Sequence, residues 1–512
     1  MSMARQVSER KVGTPFFVTI MAVGSAAMLV PAIHAWSRSD FATGRIFLYG
    51  AIIGLVVSGL IALATQGRKP ANPARSQLLT LVAAFTVMPA IFAMPLYEAV
   101  WNTSFLNAWF EMVSSFTTTG ATVYDNFGRL NSSLHLWRAT VGWLGGLLVW
   151  IMAVAILAPM KIGGFEVRSA ILDPGDGLRH SQFGKKLDLS ERLSRYGRQL
   201  VPIYVGLTAM LWLGLLVAGE RPFVAICHAM SVIATSGISP IGGVEYSRTG
   251  FSGEILIFVF FVFGISRLTF SSGLFADDSR KLWRDPEFQM AAALVLIVPT
   301  LLMLRHFVAA AETSGDMPIE MVFHAAWGAL FTVLSFLTTT GFESADWMGA
   351  QDWSGLETPG LILVGLALVG GGVATTAGGV KLLRVYALFK HGERELGRLV
   401  YPNSVGGSGG EARRIRRQGA YISWIFFMLF ALSVAGIMLL LTMTGVQFET
   451  SMVLAVSALS TTGPLAVVAA ETPISYSGIP DTAKMILAFA MVLGRLETLA
   501  ILALFNPDFW RS

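Results

Sequence analysis

Ten apolar stretches, each close to twenty residues long, constrain this 512-residue chain more than any other feature. They fall at about 16–36, 44–65, 77–97, 136–159, 200–219, 252–273, 288–306, 359–385, 420–444 and 482–506. A helix of about 20 apolar residues matches the hydrocarbon core of a bilayer. In lipid every backbone N–H and C=O must be satisfied within the protein, so such stretches predict helices. The pattern implies an all-α polytopic membrane protein. Composition agrees: 54% of residues are hydrophobic and 13% charged, against roughly 25% charged in ordinary soluble chains. The single cysteine, Cys227, excludes a disulfide scaffold and a Cys-rich metal site. The net charge of +5 comes from loop residues between apolar spans, which argues against a nucleic-acid partner.

Arg5, Arg10 and Lys11 precede the first apolar run. No small-residue cleavage pattern follows and a second span begins near Ile46, so the first helix reads as uncleaved. Placing the N-terminus inside puts 26 of the 37 Lys and Arg residues on the cytoplasmic side, eight outside and three (Arg267, Lys381, Arg495) within spans. That bias predicts both termini inside.

Four external segments contain a shorter apolar stretch that ends in a small-residue cluster: Leu106–Thr119, Phe223–Ser236, Glu320–Thr340 and Phe448–Thr462. Too short to cross the bilayer with their loops, they read as re-entrant half-helices. The clusters are Thr117-Thr118-Thr119-Gly120, Ala234-Thr235-Ser236-Gly237, Thr338-Thr339-Thr340-Gly341 and Ser460-Thr461-Thr462-Gly463. Their glycines stand 117, 104 and 122 residues apart. A unit of span, half-helix, small polar turn and span therefore occurs four times. Left-handed helix caps formed by the glycines are the plainer reading, and they explain one cluster better than four.

The repeated turns suit cation dehydration. A ring of oxygen dipoles replaces the ion's water shell, and Gly lets the chain turn its carbonyls inward with no side chain in the path. The half-helix C-termini add partial negative charge. Four units around one axis predict a potassium-type filter. Its candidate ion-binding residues are Thr118, Thr119, Gly120 and Ala121; Thr235, Ser236, Gly237 and Ile238; Thr339, Thr340, Gly341 and Phe342; and Thr461, Thr462, Gly463 and Pro464.

Several stretches resemble the Trk/Ktr/HKT superfamily of potassium transporters, in particular its bacterial Trk potassium-uptake membrane subunits, and the resemblance covers nearly the whole chain. Ser114-Ser115-Phe116-Thr117-Thr118-Thr119-Gly120-Ala121-Thr122 is similar to the family's first filter, and Gly142-Trp143-Leu144-Gly145-Gly146 to the start of the helix after it. Gly370-Gly371-Gly372-Val373-Ala374-Thr375-Thr376-Ala377-Gly378-Gly379-Val380-Lys381 resembles the broken helix after the third filter, and Gly494-Arg495-Leu496-Glu497 the arginine motif after the fourth. The helix pair before the first repeat looks like the Trk branch. The second repeat departs from the pattern, with Ala-Thr-Ser-Gly-Ile at the turn and Arg267 in Gly264-Ile265-Ser266-Arg267. The resemblance implies potassium selectivity from glycine at all four turns. It also implies a homodimer on a cytoplasmic ring of regulatory subunits that bind NAD or ATP, in a bacterial inner membrane.

Gly370, Gly371, Gly372, Gly378 and Gly379, with Thr375 and Thr376, would make a poor helix in mid-membrane, since each interior Gly costs about 1 kcal/mol. Irregular backbone at that depth must be buried in protein or line water. The segment reads as a loop obstructing the path below the filter; a small-residue packing face is the alternative. Arg495, mid-way along the last span, needs a partner. Glu497 lies nearly opposite on the helix, so the 370–379 loop is the better candidate, with snorkelling as the alternative. Together these residues form a candidate gate. Lys381 and Arg384 read as anchors at the cytoplasmic interface, and the Gly142–Gly146 pair as helix packing. His228 and His324 lack metal-ligand spacing. No Walker motif, dinucleotide fingerprint or catalytic triad is legible, so neither an enzyme nor a cofactor in this chain is expected. Gly406 to Gly410 with Arg413, Arg414, Arg416 and Arg417 reads as a flexible linker and basic membrane anchor.

The predicted organisation is an N-terminal helix pair (1–70), pore repeats at 71–180, 181–285 and 286–400, a cytoplasmic linker (401–418) and a fourth repeat (419–512). Uptake of potassium is the leading expectation. Conduction of sodium or mixed cations, and secondary transport of a small organic solute, are the alternatives.

Overall fold

The computed structural model describes residues 16–66, 73–157, 189–266, 282–283, 285–310, 319–354, 360–400, 417–470 and 472–496. Regular structure among them is helical throughout. The first predicted span is two successive helices, α1 (Phe16–Ala27) and α2 (Leu29–Ser37), followed by α3 (Phe41–Thr65). Asp40 starts α3 by accepting the Thr43 N–H at 3.1 Å, which satisfies one of the otherwise orphaned donors at a helix N-terminus.

Four span–half-helix units follow. The first is α4 (Pro73–Ala99), half-helix α5 (Phe105–Phe116) and α6 (Ser132–Met152), which runs on as a π turn over Ala153–Leu157. The second is α7 (Leu189–Val217), half-helix α8 (Pro222–Ala234) and α9 (Gly250–Ile265). The third is α10 (Pro286–Ala310), α11 (Ile319–Leu337), a short α12 (Trp347–Ser354), α13 (Gly360–Val369) and α14 (Leu382–Val400). The fourth is α15 (Arg417–Met443), half-helix α16 (Phe448–Leu459), one turn α17 (Leu465–Val468) and α18 (Asp481–Leu496). Local chemistry starts the half-helices: Ser104 accepts the Asn107 N–H at 3.2 Å, and Pro222 pre-sets φ at the first position of α8.

Among the described residues, eight helical stretches are long and apolar enough to cross a membrane, and the outer faces of α3, α10 and α15 leave Leu60, Leu296 and Leu432 exposed. Apolar side chains on a membrane-length helix can stay exposed because lipid covers them. Two features differ from the sequence expectation. The stretch Glu320–Leu337 meets the spanning criteria by length, because α11 is 19 residues long where the other half-helices have 12 or 13. In the stretch predicted over 252–273, α9 ends at Ile265 and Ser266 is extended, while 267–273 lie outside the described residues. The stretch 359–385 is two helices, as its glycines demand, with irregular backbone over 370–381. Arg267, Glu497, Arg413, Arg414 and Arg416 lie outside the described residues.

Two apolar cores hold the bundle. One joins the N-terminal helices to the first and fourth repeats; the other joins the second and third repeats and takes in Val453, Val456 and Leu465 of the fourth. At the centre of the first, the fully buried Trp137 packs on the rings of Phe47 and Phe92 (centroids 5.6 and 5.4 Å) and donates its indole N–H to the Phe92 carbonyl at 3.2 Å. Truncating such a residue costs about 3–5 kcal/mol. Gly142, Gly145 and Gly146 bring α6 against the ends of the first two half-helices. A methyl on Gly145 would lie 2.0 Å from the Phe116 carbonyl oxygen, and one on Gly146 within 2.9 Å of the Ala234 side chain.

Candidate functional site

All four half-helices end in the same way. Two positions before each glycine, Thr118, Thr235, Thr339 and Thr461 adopt left-handed φ values of 56, 49, 56 and 54°. Their N–H groups return to the carbonyls of Ser115, Val232, Phe336 and Ala458. The next N–H groups, of Thr119, Ser236, Thr340 and Thr462, reach the carbonyls of Ser114, Ser231, Ser335 and Ser457 at 2.8–2.9 Å. This is the double hydrogen bond of a Schellman cap, whose left-handed residue is usually glycine. The helix caps are thus real, but threonine carries the left-handed turn and the glycine stands two residues beyond it. A β-branched residue in this region is strained by roughly 1–3 kcal/mol and marks functional sites.

The caps use the N–H groups and leave carbonyls over. Among the described residues, the carbonyls of Thr118, Thr235, Thr339 and Thr461 accept no hydrogen bond, although all four residues are buried. Buried acceptors nearly always have partners, and four orphaned at equivalent positions form an electronegative ring.

The glycines close that ring. A methyl on Gly120 would lie 2.1 Å from the Ser236 carbonyl oxygen, one on Gly237 2.3 Å from that of Thr340, and one on Gly463 2.1 Å from the Ala121 N. One on Gly341 would meet the Pro464 ring at 3.0 Å. Each glycine backs onto the next repeat, in the order one, two, three, four, one. Gly120, Gly237 and Gly341 also have φ of +77, +63 and +82°. The Gly463 N–H donates to the Thr119 carbonyl at 2.6 Å, joining the fourth turn to the first. Ala121, Ile238 and Phe342 follow the glycines as buried residues.

Segment 370–381 lies beneath the ring. The Thr376 hydroxyl donates to the Ile233 carbonyl at 3.2 Å and accepts from Thr235 at 3.1 Å. The Gly378 N–H donates to the Thr339 hydroxyl at 2.7 Å, and a methyl on Gly378 would strike the Ser460 carbonyl and the Thr461 hydroxyl. Arg495 Nη2 donates to the Thr118 hydroxyl and the Thr376 carbonyl, both at 2.6 Å. All four left-handed threonines thereby meet the loop or Arg495. The loop is tied down from behind. Gly372 N–H and the Thr375 hydroxyl donate to the Gly264 carbonyl at 3.0 and 3.1 Å, and Val373 N–H donates to buried Glu287 at 2.7 Å. Gly370 and Gly379 pack backbone to backbone at the loop's neck, both with positive φ. Arg495 is buried, and the loop and the first turn are both among its partners.

Lys381 and Arg384 correct the sequence reading. Both are buried, where interfacial anchors would be exposed. Lys381 Nζ donates to the Ala377 carbonyl, inside the loop. Arg384 Nη1 donates to the Val380 carbonyl at 3.2 Å, and its guanidinium stacks 3.5 Å above the Phe426 ring. Tertiary burial decided this, because a basic residue at a helix start looks the same in sequence whether it faces lipid headgroups or a loop.

Sequence reasoning also missed the acids behind the turns. Glu111, on α5, pairs with Arg138 of α6 at 2.6 Å and accepts the Val123 N–H at 3.1 Å. Glu254, on α9, accepts from Trp327 Nε1, the Ser344 hydroxyl and the Ala345 N–H at 2.7, 2.7 and 2.8 Å, holding the segment after the third turn. An acid within an apolar helix was the available signal. Near that third turn, burial and then the neighbouring Glu245 carboxylate push Glu343 up to about 8.

A model of the family described as "TrkH: Cation transport protein" matches residues 43–512. The chain belongs to the TrkH family. It is 30% identical over 493 residues to the Trk system potassium uptake protein TrkH of Escherichia coli K12, covering 95% of this chain and 96% of that one. It is 31% identical over 502 residues to TrkH of Vibrio parahaemolyticus, covering 96% and 98%. The crystal structure of the potassium transporter TrkH from Vibrio parahaemolyticus superposes with a TM-score of 0.80 at 27% identity, covering 97% of this chain and 98% of that one. The family's polytopic helical fold is therefore this chain's fold.

Proposed function

We propose that this chain is the membrane subunit of a potassium-uptake system, passing dehydrated K+ through the four-turn ring and closed by the 370–381 loop with Arg495. The observation that carries the reading is the set of four buried carbonyls, at Thr118, Thr235, Thr339 and Thr461, that accept no hydrogen bond among the described residues. Such oxygens replace the hydration shell of a cation. The second and third residues of each turn, Thr119 with Gly120, Ser236 with Gly237, Thr340 with Gly341 and Thr462 with Gly463, complete the ion path with Ala121, Ile238, Phe342 and Pro464 at its rim. Relatives that bear the name of potassium uptake proteins over 95% of the chain support the choice of ion. A guanidinium beneath the ring raises the barrier to a cation, and glycine-rich backbone gives the loop freedom to move aside.

The setting is a bacterial inner membrane with both termini cytoplasmic, and the assembly is a homodimer on a nucleotide-binding ring that binds NAD or ATP. Supporting this are the loop-charge bias and the family. Deleting Arg413–Arg417 should uncouple nucleotide regulation from flux; regulation that survives unchanged refutes that contact.

Ion flux into liposomes carrying the purified chain tests the proposal, comparing K+, Rb+, Na+ and Li+ with Gly120→Ser in parallel. Uptake of K+ and Rb+ over Na+, relaxed by the substitution, is the expected result. Equal flux of all four ions would refute potassium selection and favour a mixed-cation path. Flux of none would favour an organic solute.

A further inference from the structure

The fourth turn is held differently from the other three. In the first three repeats a polar side chain nine residues before the glycine ties down the segment just after it: Glu111 accepts the Val123 N–H at 3.1 Å, His228 Nε2 meets the Ser239 hydroxyl at 2.9 Å, and the Thr332 hydroxyl accepts the Ser344 N–H at 3.3 Å. In the fourth repeat that position is Leu454, which cannot hydrogen-bond. Gly463 also lacks the positive φ shared by Gly120, Gly237 and Gly341.

Tyr476 fills the gap from the loop beyond. It is 4% exposed, its ring lies 5.8 Å from that of Phe110, and its hydroxyl donates to the Gly463 carbonyl at 3.0 Å. The same hydroxyl lies 2.8 Å from Ser457 Oγ, which sits 2.9 Å from the Thr462 carbonyl and 3.3 Å from that of Gly463. A hydroxyl has one proton to donate. With the Tyr476 proton on Gly463, the Ser457 proton is free for Thr462, and these two carbonyls, which also accept the Leu465 and Ala466 N–H groups at 3.1 and 3.2 Å, are drawn to the half-helix side.

The hydroxyl is itself positioned from the first repeat. Asp125, five residues past Gly120, accepts from the Ser475 hydroxyl at 2.7 and 2.8 Å and from the Ser477 hydroxyl at 2.5 Å. These serines flank Tyr476 on either side. Ser475 Oγ also accepts the Ser477 N–H at 3.1 Å, which tightens the turn. Inside, Gly463 N–H bonds to Thr119; outside, Asp125 clips the Tyr476 turn. The first and fourth repeats are joined at both levels.

We propose that Tyr476 is a positioning residue for ion selectivity: through Ser457 and the Asp125 clip it holds the Thr462 and Gly463 carbonyls back toward the half-helix and so fixes the backbone that presents the unbonded Thr461 carbonyl to the ring. This rests on reading the four turns as the ion filter. The role differs from general structural support, because losing the hydroxyl should alter which ion passes more than how much passes.

The experiment uses the full-length chain in liposomes, with Rb+ uptake measured against Na+ competition for the wild type, Tyr476→Phe, Ser457→Ala and Asp125→Asn. Tyr476→Phe should lower the Rb+/Na+ preference about fivefold, the equilibrium weight of one neutral hydrogen bond, with maximal Rb+ flux little changed. Ser457→Ala should shift the ratio in the same direction, and Asp125→Asn less. A selective wild type with an unchanged ratio in Tyr476→Phe, even if its flux falls, overturns the role of Tyr476 alone. A wild type that does not discriminate overturns the filter reading, and this one with it. Should Tyr476→Phe fail to insert, an unshifted ratio in Ser457→Ala overturns the proposal.

Discussion

Replacing Gly120 by alanine tests the ring at one of its two tightest joints. Two penalties act together. A φ of +77° costs a residue with a Cβ roughly 1–2 kcal/mol. The new methyl would also sit 2.1 Å from the Ser236 carbonyl oxygen, far inside the roughly 3.5 Å of a favourable contact. The obstacle is backbone of the neighbouring turn, with no flexible side chain to swing away, so the turns of repeats one and two must part by about 1 Å. Ring oxygens are displaced with them. Gly237→Ala meets the Thr340 carbonyl at 2.3 Å and should behave alike, whereas Gly341→Ala meets only the Pro464 ring at 3.0–3.1 Å and should be milder. Gly59→Ala, with nothing within 4 Å on α3, is the control; it should be neutral or stabilising by about 1 kcal/mol. Expressed as the Rb+/Na+ flux ratio in liposomes, Gly120→Ala should lose about tenfold, the equivalent of 1.4 kcal/mol. A wild-type ratio in Gly120→Ala, or equal damage from Gly59→Ala, would refute the argument that close approach of repeats shapes the ring.

Arg495→Gln removes two charge-assisted hydrogen bonds at 2.6 Å, to Thr118 and Thr376, each worth about 1.5–3 kcal/mol. Basal K+ flux through the purified chain should rise about tenfold, and a variant as tightly closed as the wild type would show that Arg495 does not hold the loop. Arg138→Met strands Glu111 in a buried site at a cost of about 3–5 kcal/mol. Its thermal midpoint in detergent should fall well below that of the Glu111→Gln/Arg138→Met double variant, and equal midpoints would mean the pair carries no stability. Glu343 is pushed up to about 8 and is therefore neutral at pH 7 and ionised at pH 9. Apparent affinity for K+ should increase as external pH rises through that range, and Glu343→Gln should abolish the trend; an identical pH profile in the variant would exclude Glu343. The linked stability runs the other way. The folded chain holds that proton from the ordinary carboxylate range up to about 8, so stability contributed by Glu343 declines as pH rises across this window.

Hydropathy and spacing made the membrane class, the four repeats and the candidate turns legible, because burial in lipid is a property of each segment and needs no neighbour. The broken third-repeat helix was legible for the same reason: glycines at 370–372 and 378–379 weaken a helix wherever it lies. Arg495 could be read as a charge in want of a partner. Which partner it took was not written locally, since Thr118 and Thr376 stand 377 and 119 residues away. The helix caps show the limit well. Local rules assign a left-handed turn to glycine, yet Thr118, Thr235, Thr339 and Thr461 adopt it, because the glycines are needed two residues later for the next repeat to press against. Burial of Lys381 and Arg384, the Glu111–Arg138 pair and the placement of Tyr476 beside Gly463 likewise join residues from different helices or distant loops. Sequence determined which segments enter the membrane and where backbone oxygens could be exposed. Tertiary packing alone decided which oxygens face one another, because that depends on close contact between repeats more than a hundred residues apart.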